Sequence, residues 1–145
     1  MFKDNENLSL LLLKARENAV ACIKPALTKH GLTEQQWRVL RVLSEVGESN
    51  AQDLASQSCI LSPSLSRILA RLTEDGIIVR KVDSDDQRAQ NIRLSAKGKR
   101  LHSKIKPSVD KQYTALEKAV GKDKLSKLSE MLEGYSEAGQ EIAGN

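Results

Sequence analysis

The stretch from Ser62 to Leu94 constrains this chain more than any other. It opens on Ser-Pro, then repeats Leu65, Ile68, Leu69 and Leu72 at helical spacing, and stops at Gly76. Ser62 is placed to cap that helix and Pro63 to take its first position, where a missing N–H costs nothing. Gly76 ends it. Ile77 to Val82 and Asn91 to Leu94 then read as the two strands of a charged hairpin about the turn Asp83 to Gln90. A helix that runs straight into such a wing must bury its leucine stripe under other helices, because two strands alone are too little cover.

The flanks supply those helices. Leu8 to His30 predicts a long helix with Leu12, Val20, Ile23 and Leu27 on one stripe, kinked at Pro25 and ended by Gly31. Thr33 with Gln36 forms a capping box for a second helix to about Val46, where Gly47 follows. Asn50 with Asp53 starts a short third helix through Gln57, and Ser58 to Leu61 turn into the helix beginning at Ser62. Ser95 caps another long helix, expected to be interrupted near Pro107, with Leu101, Ile105, Val109, Tyr113 and Leu116 inward. After Gly121, the residues Leu125, Leu128, Leu132, Tyr135, Gly139 and Ile142 alternate spacings of three and four, the seam of a helix packed lengthwise on another. The expected class is mainly α, a winged helix-turn-helix in the order α-α-α-α-β-β-α-α. The expected organisation is one domain over 1–145, with a lobe at 33–94 and terminal helices at 8–31 and 95–143 forming a dimerisation platform.

Charge is distributed unevenly. Residues 62–104 hold ten Lys and Arg against five Asp and Glu, while the remainder holds thirteen against fourteen. The surplus therefore belongs to the helix and hairpin, which favours a polyanionic partner. Aromatics make up 3% of the chain, too few for a stacking platform for single strands. An apolar content of 39% is low for a self-sufficient globule and points to burial against a second copy. Cys22 and Cys59, 37 residues apart, fit a reducing cytoplasm without disulfides. No signal peptide or membrane span is expected. Enzyme chemistry is not expected, because His30 and His102 stand far apart, and no phosphate loop, nucleophile elbow or metal-ligand spacing is present. No cofactor is expected.

With that order in view, the chain resembles the MarR family of bacterial transcription factors over nearly its whole length. The likeness rests on Leu32-Thr33-Glu34-Gln35-Gln36-Trp37-Arg38-Val39-Leu40, Leu54-Ala55, Leu69 to Gly76, Asp86-Gln87-Arg88 and Leu94-Ser95. Gln35 to Arg38, Cys59-Ile60-Leu61 and Pro63-Ser64-Leu65 make it look most like the HpaR-type regulators of homoprotocatechuate and hydroxyphenylacetate degradation. The chain departs from the family in three places. The turn at Gln57 to Leu61 lacks a glycine, Ser84 stands where a proline often follows Asp83, and a single Arg88 replaces two adjacent arginines.

Candidate site residues follow. The face opposite the leucine stripe offers Ser64, Ser66, Arg67 and Arg71, hydroxyls and guanidiniums suited to a DNA groove, with Arg71 nearer the backbone. Ser62 and Pro63 stand at its entry. Arg88 at the hairpin tip can enter a minor groove, and the resemblance makes it the wing arginine with Asp86 as the acid that positions it. Arg16 falls on the apolar stripe of the first helix, so its guanidinium is expected to approach the interior and to meet an acidic neighbour, across the dimer or otherwise, or an anion. The resemblance implies that such a residue binds the carboxylate of a small aromatic acid, with Trp37, Arg41 and His30 as neighbours, although Trp37 reads more readily as plain core. The function expected is a homodimeric repressor of an aromatic-compound catabolic operon, bound to a pseudo-palindromic operator on double-stranded DNA and released by a small aromatic carboxylate. Alternatives are a redox-sensing repressor using Cys22, and a winged-helix protein-interaction scaffold. Cys59 is expected to serve packing.

Overall fold

The computed structural model describes residues 5–82 and 90–144. The elements are α1 (Asn5–Thr28), α2 (Glu34–Val46), β1 (Glu48–Ser49), α3 (Ala51–Ser58), α4 (Ser62–Glu74), β2 (Ile78–Val82), β3 (Gln90–Leu94), α5 (Ala96–Val120) and α6 (Lys122–Ala143). The class is mainly α with a winged helix-turn-helix, as the sequence implies. By its internal contacts the chain divides into two compact units, Met1–Val109 and Asp110–Asn145.

Local chemistry explains most boundaries of the first unit. Thr33 Oγ1 accepts the Gln36 N–H at 3.1 Å and Gln36 Oε1 accepts the Thr33 N–H at 3.0 Å, a complete capping box for α2. Asn50 Oδ1 accepts the Asp53 N–H at 2.8 Å and starts α3. Ser95 accepts the Gly98 N–H at 3.0 Å and donates to the Gly76 carbonyl at 2.6 Å, so it caps α5 and ties it to the end of α4. Gly98 is buried, and glycine alone fits there because a Cβ at that position would lie 2.1 Å from the Ile77 carbonyl oxygen.

Some expectations change. Ser62 lies inside α4, and the cap position falls to Leu61, which offers no side-chain hydrogen bond; Pro63 therefore stands one residue deeper than expected, still within the first turn. Leu61 takes the extended backbone of a cap residue, and its carbonyl accepts the Leu65 N–H at 2.9 Å, so the helix starts one residue early. Pro25 and Pro107 also sit within helices that continue past them: α1 runs three residues beyond Pro25, and α5 crosses Pro107 without interruption. A proline removes one donor, and the neighbouring ladder bonds carry the helix across.

The sheet has three strands in the order β1-β3-β2, all antiparallel. Strand β2 pairs with β3 from Ile78 opposite Leu94 to Val82 opposite Gln90. Strand β1, absent from the sequence reading, pairs Glu48 with Arg93 and Ser49 with Ile92. At two residues it is too short to leave a period.

One core holds the unit together. Val39, Leu40 and Leu43 of α2, Leu54 of α3, Leu65, Leu69 and Leu72 of α4, and Ile92 of the wing are buried in it. Ile23 and Leu27 of α1 and Ile105 and Val109 of α5 join the same core, so the helices assigned to a dimer platform also roof the lobe. The first half of α1 is different: Leu10, Leu11 and Leu13 are exposed. In the second unit, α6 buries nothing, and Leu128, Met131, Leu132, Tyr135 and Ile142 face solvent.

Candidate nucleic-acid interface and effector site

Helix α4 separates its two faces cleanly. Leu65, Leu69 and Leu72 are buried, with Ile68 half-buried against the core. Ser62, Pro63, Ser66, Arg67 and Arg71 are exposed, while Ser64 turns partly inward and is half-buried. Arg71 Nε lies 3.1 Å from Asp75 Oδ2 one turn later, so part of its charge is answered within the helix. Arg67 has no ionic partner among the described residues. Leu61, 80% exposed at the entry to α4, is a candidate that the sequence reading passed over. An apolar residue at a cap position is the signal that could have found it, since such a side chain suits a thymine methyl.

The wing strands bring further cations beside this helix. Arg80 and Lys81 on β2 and Arg93 on β3 are exposed. Asp86 and Arg88 lie outside the described residues. Hydroxyls and guanidiniums on a rigidly seated helix, followed by a basic hairpin, can engage phosphates and base edges together.

The proposed effector residues do not form one cluster. Arg16 is 50% exposed rather than interior, on the half of α1 whose leucines Leu10, Leu11 and Leu13 are also exposed. Its acidic neighbour is in the same chain: Arg16 Nη2 lies 3.1 Å from Glu34 Oε2. Glu34 also faces Arg38, with Nε and Oε1 2.9 Å apart in an ionic contact off hydrogen-bond alignment. Arg41 is 3.6 Å from Glu45. Arg16, Arg38 and Arg41 line a cavity of about 340 Å³ together with Glu45, Ser58 and Cys59. Trp37 and His30 are not part of its lining.

Trp37 is a core residue, 3% exposed, and its ring stacks on His102 with centroids 5.1 Å apart and planes 12° from parallel. His102 stands in no metal-ligand or catalytic motif of the sequence. It also lines a second cavity of about 390 Å³ with Arg93, Lys99, Ser44 and Ser103. Cys22 is exposed, its thiol 3.4 Å from the Asn18 carbonyl. Cys59, expected to pack, is also exposed, since it ends α3 in the left-handed region with φ 52°. Among the described residues, no group of three His, Cys, Asp or Glu could hold a metal, and no helix is long and apolar enough to cross a membrane.

A buried leucine stripe with a hydroxyl-and-arginine outer face, set against a short basic sheet, defines a winged helix-turn-helix DNA-binding protein. Comparison with known proteins narrows this. The MarR family profile matches residues 32–89. The chain is 40% identical over 126 residues to the HTH-type transcriptional regulator FarR of Neisseria gonorrhoeae, spanning 87% of this chain and 86% of that protein. It is 36% identical over 131 residues to the homoprotocatechuate degradative operon repressor of Escherichia coli, spanning 90% and 88%. The crystal structure of NadR in complex with 4-hydroxyphenylacetate matches with a TM-score of 0.79 at 40% identity, covering 88% of this chain and 91% of that one. The chain belongs to the MarR family. The family and these relatives are transcriptional regulators, not enzymes.

Proposed function

We propose that the chain acts in the cytoplasm as a homodimer on a pseudo-palindromic operator, and that a small aromatic carboxylate releases it. The observation that carries the DNA half is α4, whose apolar side is consumed by the core while Arg67 and its hydroxyls are left to solvent. Ser62, Pro63, Ser64, Ser66, Arg67 and Arg71 would meet the major groove, and the wing, with Asp86 and Arg88, the adjacent minor groove. Two copies of α4 set about one DNA turn apart, ~34 Å, would match the two half-sites. The exposed leucines of α1 and α6 supply a reason for the second copy, since a monomer rarely leaves such a stripe in water.

The effector half rests on the arginine cavity. Three guanidiniums share two carboxylates, Glu34 and Glu45, which leaves one positive charge to be answered. An Arg takes a carboxylate in a bidentate grip, and Arg16 and Arg41, which line the cavity, would supply it; His30 and Trp37 lie outside that lining. The aromatic class is supported by relatives that repress a homoprotocatechuate operon or hold 4-hydroxyphenylacetate. Release would follow if the effector favours a dimer whose two α4 helices no longer match the half-site spacing.

Fluorescence anisotropy on promoter duplexes tests this. Tight binding that falls steeply with salt is expected, with a shallower salt dependence for Arg88→Ala. Adding phenylacetates, benzoates or cinnamates should then release the DNA, at higher concentrations for Arg16→Ala and Arg41→Ala. Indifference to every duplex at low salt would leave a protein-interaction scaffold. Release by peroxide and recovery with thiol, in place of a response to acids, would make Cys22 the trigger.

A further inference from the structure

A continuous polar path runs from α1 to the turn that launches α4. Arg16 Nη2 donates to Glu34 Oε2 at 3.1 Å, and Glu34 Oε1 lies 2.9 Å from Arg38 Nε. Arg38 Nη1 in turn donates to the Ser58 carbonyl at 2.8 Å and the Cys59 carbonyl at 3.1 Å. The far end of this path is the least relaxed stretch of described backbone. Cys59 is its one non-glycine residue with positive φ, and Leu61 two residues later starts α4 without a side-chain cap. Non-glycine residues hold that conformation only where their surroundings enforce it. The Arg38 and Glu34 side chains are 23% and 19% exposed, so their contacts are screened less than those of a surface pair. Lysine could not replace Arg38, because an ammonium cannot address a carboxylate on one edge and two carbonyls on another with fixed geometry.

Resting on the assignment of α4 to DNA above, we propose that Arg38 is a positioning residue for DNA recognition: it clamps the α3–α4 turn and, through the carboxylate of Glu34, couples the orientation of α4 to Arg16 on α1. Arg38 does not touch DNA in this scheme. It sets the turn from which Ser62 to Arg67 project. Among the described residues Arg16 and Arg38 share Glu34 as their ionic partner, so a change in the Arg16 pairing is passed to the turn through that acid.

The test uses the full-length protein and a duplex selected from a randomised pool by the wild type. Arg38→Lys and Arg38→Gln should lose operator affinity by about tenfold while thermal melting stays cooperative, the size expected for lost charge-assisted hydrogen bonds. In the free protein, both variants should speed hydrogen exchange at the Ile60 and Leu65 amides, which bond to Ala55 and Leu61, without speeding it in the middle of α2. Arg16→Gln should weaken binding severalfold in the wild-type background and have no effect once Glu34 is Gln. Wild-type affinity and exchange in Arg38→Lys would overturn the clamp, and an Arg16 effect that survives Glu34→Gln would overturn the coupling. A wild type that selects no duplex would overturn the DNA assignment itself, while exchange in the free protein would still report whether Arg38 holds the turn, so the two failures are distinguishable.

Discussion

Arg67 and Arg71 stand one turn apart on α4 yet present different charges to a partner. Arg71 is partly answered by Asp75, whereas Arg67 is not answered by any described residue. Arg67→Ala should therefore weaken operator binding by about 1–2 kcal/mol and lower the salt slope by about one, with Arg71→Ala costing clearly less. Anisotropy at two salt concentrations measures both, and equal losses would contradict the difference in pairing. At the same scale, Trp37 is buried against His102. Trp37→Ala should cost about 3–5 kcal/mol of folding stability, with Trp37→Phe far milder, as read from urea denaturation. A loss below about 1 kcal/mol for Trp37→Ala would remove it from the core. The stack was not legible in the sequence because the two residues lie on different helices, 65 positions apart.

At the scale of elements, capping chemistry was the most legible part. Thr33 with Gln36, Asn50 with Asp53, and Ser95 all make the bonds their spacing implied. Ser62 does not, because Leu61 can take the extended cap backbone and a hydroxyl at the next position already belongs to the helix. The close approach of α5 to the start of β2 was not legible either, since a glycine early in a helix carries no mark of what will press against it. Gly98→Ala should destabilise by roughly 1–3 kcal/mol, because the new methyl meets the Ile77 carbonyl and backbone must move. Gly134→Ala, with open space around its Cβ, should be neutral or stabilising by up to about 1 kcal/mol. Thermal melting of the two variants side by side decides this; a harmless Gly98→Ala would mean that the contact yields.

At the scale of the whole molecule, the unused apolar surface is the main fact. Leu128, Leu132 and Tyr135 keep the spacing of a packing seam while remaining exposed in the single chain. Leu132→Asp combined with Leu128→Asp should convert a dimer into a monomer in sedimentation velocity and abolish cooperative binding to a two-half-site duplex. A double variant that still sediments as a dimer would place the interface elsewhere. The lobe should survive the change, since its core draws only on residues up to Val109.

Local pattern by itself determined the helices, most of their caps, the hairpin and the basic stretch 62–104, because periodicity, capping and charge are properties of neighbours in sequence. Tertiary structure decided which of the site residues meet. It turned Arg16 out to solvent and onto Glu34, put Trp37 on His102, and gave Arg38 the carbonyls of a turn twenty residues away. Those partners are chosen by how helices cross. A guanidinium long enough to reach several acids or carbonyls does not record in its own sequence which one it will find.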